Sequence, residues 1–289
     1  MFFIYIDPDD STLLHSFARE VKDKSMHLKE LLNKFSTGEQ VPILTAEENI
    51  KNKSTILHIL AFNPESHEVL SEILDAFLHE NQPKTKRILM HKDSKGETIL
   101  HILSKKAREG ATLLNVIQLY AKYDLKKIIE SQTQTNPLNL AIVASNTEGA
   151  KILMQNDYSL ASGLNALQSS IKYKNPELVQ FIMDNFPELR NQLDKKNCSP
   201  LHLVASLPWL SKEDSSEVKK VRQDILKLLL TKDLSDVNQL NSQSENCLHV
   251  AISSGFVEAV MMIITHLQEI EEKNVPKKKK NAQGMLIRK

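Results

Sequence analysis

Glycine is scarce in this chain, 7 of 289 residues, and aromatic residues make up only 5%. That shortage argues against sandwiches and barrels, whose turns and blades draw on both, and against phosphate-cradling loops. There is indeed no Gly-x-Gly-x-x-Gly or Walker-type segment. Two cysteines, Cys198 and Cys247, cannot build a disulfide framework, and they are expected to be small packing residues in a reducing compartment. No apolar run approaches the roughly 18 residues of a membrane span. The opening Phe2-Phe3-Ile4-Tyr5-Ile6 lacks the basic lead-in and the length of a secretory signal. The five histidines His27, His67, His79, His91 and His266 show neither Cys/His spacing nor a His-Glu-x-x-His pattern, so no metal site is expected.

Charge is balanced overall but unevenly placed. Lys273, Lys277, Lys278, Lys279, Lys280, Arg288 and Lys289 give residues 273–289 a charge of +7 with no acid, leaving 30 basic residues to face 36 acidic ones elsewhere. A mildly acidic body does not suit nucleic acid gripped by the body itself.

What is present is a repeated signature. It reads Thr12-Leu13-Leu14-His15, Thr55-Ile56-Leu57-His58, Thr98-Ile99-Leu100-His101 and Ser199-Pro200-Leu201-His202, with Asn246-Cys247-Leu248-His249 as a polar variant. Asn136-Pro137-Leu138-Asn139 and Asn165-Ala166-Leu167-Gln168 are worn copies between them. Successive copies start 43, 43, 38, 29, 34 and 47 residues apart, a recurrence that marks a stacked-repeat architecture. Each copy predicts a helix, a tight reversal, a second helix and an outward loop. Thr or Ser caps the first helix, and Pro follows where its missing N–H costs nothing.

These residues resemble the ankyrin-repeat family, whose mark is Thr-Pro-Leu-His-x-Ala at about 33 residues. Asp93, Gly96, Thr98, Leu100 and His101 match the family's Asp-x-x-Gly-x-Thr-Pro-Leu-His register, with Ile99 in place of proline. Asp194, Asn197, Ser199, Pro200, Leu201 and His202 match it again, Asn197 standing in for glycine where the backbone needs positive φ. The resemblance implies an all-α ankyrin solenoid of about seven helix-turn-helix repeats, two of them degenerate, over residues 1–272. Residues 273–289 follow as a basic tail expected to be solvated and disordered. It also implies that His15, His58, His101, His202 and His249 are structural, each ring tied to its Thr hydroxyl and to backbone of the adjoining repeat.

Second helices are expected at the apolar stripes Leu70, Ile73, Leu74, Phe77, Leu78; Leu178, Phe181, Ile182; Ile225, Leu226, Leu228, Leu229, Leu230; and Phe256, Val257, Val260, Met261, Ile263, Ile264. The excess over 33 residues is expected in loops, at 36–53, 80–92 and 207–217, rather than in extra helices.

Ankyrin arrays bind proteins, so the resemblance implies a protein-interaction module with no chemistry of its own, no cofactor and no small-molecule substrate. The partner is expected to be a folded protein met by the hairpin tips and a concave first-helix face. The candidate tip residues are Lys92, Asp93, Lys95, Glu97, Asp194, Lys195, Lys196, Gln243 and Glu245, with a further tip at 132–135. Trp209, on the 207–217 insertion, is either a binding anchor or folded back over the groove beside it. Cys198 with His202 is the nearest approach to a nucleophile–base pair, but no flanking residue supplies an orienting group or an oxyanion hole. Asn238, with Leu230, Asp236 and Val237 before it, resembles the site that an asparaginyl hydroxylase of animal cells modifies in ankyrin proteins, and it is equally ordinary repeat sequence. Lys277, Lys278, Lys279 and Lys280 after Pro276 resemble a monopartite nuclear signal and equally a solubilising tail.

The long, uneven repeats and the Lys/Asn/Ile-rich composition resemble ankyrin effectors that intracellular bacteria deliver into host cells. The chain is expected to be a soluble cytoplasmic monomer, and to reach a host cytosol or nucleus if it is such a delivered effector. Two rival readings are repeats that position an unrecognised enzymatic segment, and a nucleic-acid or anionic-membrane binder acting through the tail.

Overall fold

A computed structural model describes residues 13–19, 53–77, 82–107, 110–124, 136–156, 166–206, 216–231 and 237–274. The chain divides into two compact units, residues 1–166 and 167–289.

In the first unit the helices are α1 (Leu13–Arg19), α2 (Ile56–Phe62), α3 (His67–Phe77), α4 (Gln82–Leu89), α5 (Ile99–Lys106), α6 (Gly110–Lys122), α7 (Pro137–Val143) and α8 (Thr147–Gln155). α1, α2, α5 and α7 pack side by side as one row, and α3, α6 and α8 form a second row behind them. Short first helices of seven or eight residues are marginal alone, so their stability has to come from burial between neighbours. Ile56, Leu57, Leu60, Ile99, Leu100, Leu103, Leu138 and Ile142 are accordingly buried. Leu70, Ile73, Leu74, Leu113, Val116, Ile117 and Leu153 face them from the second row.

The second unit repeats the plan. α9 (Ala166–Lys172) crosses the boundary; α10 (Pro176–Asn185), α11 (Pro200–Ser206), α12 (Ser216–Thr231), α13 (Cys247–Ser253) and α14 (Val257–Asn274) follow. α11 packs on α13, while α10, α12 and α14 pack in sequence. The two worn copies therefore also supply two helices each, α7 with α8, which pack together, and α9 with α10, each second helix being capped by an asparagine, Asn146 or Asn175.

Three expectations need correction. Residues 82–89, expected in a loop, are the helix α4: Thr85, Ile88 and Leu89 form a buried stripe, and the Tyr120 hydroxyl donates to the Leu89 carbonyl. The insertion bound of 217 runs two residues too far: Ser216 and Glu217 open the 16-residue α12, in keeping with the longer second helix that Ser215 or Ser216 is expected to cap. Of the apolar stripe expected around α14 only Phe256, just before the helix, Ile263 and, partly, Val260 turn inward; Val257, Met261 and Ile264 are exposed, because no described element packs on that face. Thr12, the segment 36–52, the tip at 132–135, Pro208, Trp209, Asp236 and the lysines 277–280 lie outside the described residues, as do the Phe77 and Leu78 side chains.

Candidate interaction surface

Two first helices of the first unit begin on a reciprocal cap. Thr55 caps α2 and Thr98 caps α5, each exchanging hydrogen bonds with the histidine three residues later. The Nδ1 of His58 accepts from the Thr55 backbone N–H at 3.3 Å and lies 2.7 Å from the Thr55 hydroxyl. Its Nε2–H donates to the Glu97 carbonyl, 39 residues away in the next copy. Serine does the same work in the second unit. His202 Nδ1 is 2.7 Å from Ser199 Oγ, and Nε2–H donates to the Glu245 carbonyl at 3.0 Å.

With Nδ1 accepting and Nε2 donating to a carbonyl, a neutral ring satisfies every partner. A second ring proton at Nδ1 would face the Thr55 N–H. Burial therefore holds His58 neutral, pulling its pKa down to about 4; the nearby Asp93 carboxylate opposes this and His91 adds to it. His15, His101 and His202 are buried likewise, whereas His249 is exposed, since no described copy follows to cover it.

Three described hairpins are each closed by an Asx side chain. The carboxylate Oδ1 of Asp93 accepts the N–H groups of Lys95 at 2.8 Å and Glu97 at 2.9 Å. Asp194 does the same for Lys196 and Cys198, and Asn241 for Gln243 and Glu245. The tight turns put Gly96, Asn197 and Ser244 at φ of 75, 57 and 62°, the left-handed region. Asn197 takes the positive φ expected of it; Ser244 does so without a sequence sign. In the second unit adjacent hairpins are joined directly, the Ser242 N–H donating to the Lys196 carbonyl at 2.9 Å.

These bonds sort the candidate tip residues. Asp93 and Asp194 hold their turns. Glu97 is buried against Lys105 and lends its carbonyl to His58, while Glu245 accepts from Asn241 Nδ2 and lends its carbonyl to His202. Lys95, Lys195, Lys196 and Gln243 are exposed, Lys92 is half-buried, and Asn238 is exposed just after the buried Val237.

Cys198 and His202 do not form a reactive pair. Burial, then the Asp194 carboxylate, pushes the thiol pKa up, and both ring nitrogens of His202 are engaged elsewhere. Among the described residues no cluster of His, Cys, Asp and Glu could hold a metal ion, and no helix is long and apolar enough to cross a membrane.

Several contacting residues carry no sequence signature. Asn146 caps α8 and its amide donates to the carbonyls of Ser104 and Ala107 in the preceding copy. The Ser254 hydroxyl donates to the Ala205 carbonyl at 2.7 Å in the same manner. At the end of α2, Phe62 is 59% exposed, with Lys106 Nζ 4.5 Å over its ring. Only its position off the buried stripe of α2 marks it in the sequence.

No protein-family model matches the chain, and no curated protein matches it in sequence. Among solved structures it is similar to the ankyrin repeat domain of Bcl-3, described as a unique member of the IkappaB protein family. The identity is 17% and the TM-score 0.59, over 89% of this chain and 99% of that one. Stacked helix pairs, histidine caps and left-handed hairpin turns agree with that likeness: the chain is an all-α solenoid with the fold of an ankyrin repeat domain.

Proposed function

We propose that the chain is a protein-interaction module that binds a folded protein partner through its hairpin tips and first-helix row, with no reaction of its own. One observation carries the reading. The groups that could do chemistry, the signature histidines and the turn carboxylates, are committed to internal hydrogen bonds, while Lys95, Lys195, Lys196 and Gln243 stand outward on rigid turns. Exposed side chains on a fixed scaffold are free to be selected for recognition. With the part-exposed carboxylates of Asp93, Asp194 and Glu245 beside them, the tips carry both signs, which suits a protein surface better than a polyanion.

The proposal extends to an effector that an intracellular bacterium delivers into a host cell, on the strength of the uneven repeats and the Lys/Asn/Ile-rich composition. In an animal cytosol the exposed Asn238 would be open to hydroxylation, and Lys277 to Lys280 would serve as the import signal. The test is affinity capture from a eukaryotic lysate with the wild-type chain and with Lys95, Lys195 and Lys196 all reversed to Glu. The proposal expects a defined protein captured by the first and lost with the second at equal melting temperature. Captured proteins that do not change between the two would refute it.

A further inference from the structure

The first unit carries an open groove of about 520 Å³ along its first-helix row, and a second opening continues it toward α7. Ile59, Ile102 and the exposed Phe62 give it an apolar strip. Lys95, Lys105 and Lys106 line it from the α5 hairpin and the last turn of α5. The carboxylates of Asp93 and Glu97, also in the lining, are turned to other work: Asp93 accepts two backbone N–H groups and Glu97 pairs with Lys105. Arg19 joins the three lysines in the lining, so four cations face these two carboxylates and the groove is net positive, although the chain outside residues 273–289 carries 36 acidic residues against 30 basic ones.

We infer that this groove takes an acidic peptide segment of the partner protein, an inference that rests on the interaction-module reading above. The segment lies across the ends of α2, α5 and α7. One apolar side chain packs on Phe62, and flanking carboxylates meet Lys95, Lys105 and Lys106. The aromatic ring decides between an acidic peptide and a bare polyanion. Phe62 already has a cation over its face, so its remaining surface offers apolar contact rather than an anion site. Lysines that flank an apolar strip select carboxylates set around an apolar residue, with the charges steering the encounter and the ring supplying the anchor.

The test is fluorescence anisotropy with the full chain and four labelled probes. They are a dodecapeptide with Leu-Phe flanked by Asp and Glu, its Lys-for-acid counterpart, its Ser-for-Leu-Phe counterpart, and single-stranded DNA of about 20 nucleotides. The acid-flanked apolar peptide should bind about tenfold more tightly than each of the others. Phe62→Ala and Lys106→Glu should each weaken it by about fivefold or more at unchanged melting temperature, and Lys106→Arg should retain it. Equal binding of the Ser-containing peptide or the DNA would reduce the groove to a charged surface and overturn the inference. So would no binding of the acid-flanked apolar peptide, or binding indifferent to Phe62→Ala. A captured partner that is lost on reversal of Lys195 and Lys196, yet indifferent to Phe62→Ala, would sink the inference and leave the interaction module standing.

Discussion

The Nε2 of His202 donates to the carbonyl of Glu245 at 3.0 Å, across 43 residues of sequence. That carbonyl directly precedes Asn246, the cap of the next first helix, so one ring joins the start of one helix to the start of the next. His58 bonds the Glu97 carbonyl, directly before the Thr98 cap, in the same way. The histidine is thus an inter-repeat tie whose two nitrogens serve two successive copies.

The tie predicts the effect of two truncations. Leu201 is fully buried, so Leu201→Ala should cost about 2–5 kcal/mol through lost transfer energy and a residual cavity. His202→Ala should cost about 1–3 kcal/mol by leaving the Glu245 carbonyl and the Ser199 N–H without their partner. Chemical denaturation of both variants checks this; midpoints equal to wild type would mean that this copy adds nothing to the stack.

Acid should weaken the fold through His58. Its pKa is about 4 when folded and near 6.5 when exposed, so between those values the unfolded chain takes a proton that the folded chain refuses. The stability that the neutral ring contributes is complete above pH 6.5 and falls as pH drops. It is lost by about pH 4, an effect on the order of 3 kcal/mol. His58→Gln should lower stability at pH 7 and flatten the slope between pH 6.5 and 4. Equal slopes in denaturant titrations of the two proteins would contradict the assignment.

Backbone conformation sets a third expectation. Gly96 and Ser244 occupy the same turn position, with φ of 75 and 62°. A Cβ at Gly96 would touch nothing within 4 Å, so Gly96→Ala should cost about 1–2 kcal/mol through the backbone alone. Ser244→Gly should be neutral or stabilise by up to about 1 kcal/mol, relief of strain being offset by a freer unfolded chain. A stabilised Gly96→Ala variant or a destabilised Ser244→Gly variant in thermal melts would show that the two turns are not equivalent.

Cys198 should be a sluggish thiol. With its pKa raised by burial and by Asp194, it should label more slowly than a free cysteine at pH 7.5 and gain rate as pH rises. Cys198→Ser should leave partner binding intact. Loss of binding at an unchanged melt would show that the sulfur has a function.

Much of this architecture is visible in the residues, and the invisible part has a physical pattern. Thr55, Thr98 and Ser199 with their histidines mark helix starts because the cap geometry demands a hydroxyl and a partner at fixed spacing. Asn197 marks a left-handed turn for the same local reason. α4 escaped because only Ile88 and Leu89 of it are apolar, amid Lys84, Lys86 and Arg87, and its burial depends on Tyr120 from another helix. The tip carboxylates look like recognition groups in the sequence. Only the folded turn shows Asp93 and Asp194 accepting backbone N–H groups, and only packing shows Glu97 against Lys105. Phe62 and Lys106, 44 positions apart, meet because the repeats stack.

The most direct measurement of the central claim is the affinity of a captured partner, by titration calorimetry, for four forms of the chain. They are wild type, Lys95/Lys195/Lys196→Glu, Trp209→Ala, and a truncation that ends at residue 272. Binding through the repeats predicts a loss of more than about 1 kcal/mol in each of the two substituted forms at unchanged melting temperature. It also predicts that truncation changes nothing and that affinity depends only weakly on salt. Full affinity in both substituted forms, with binding abolished by truncation and steeply weakened by salt, would assign recognition to the basic tail and contradict the account.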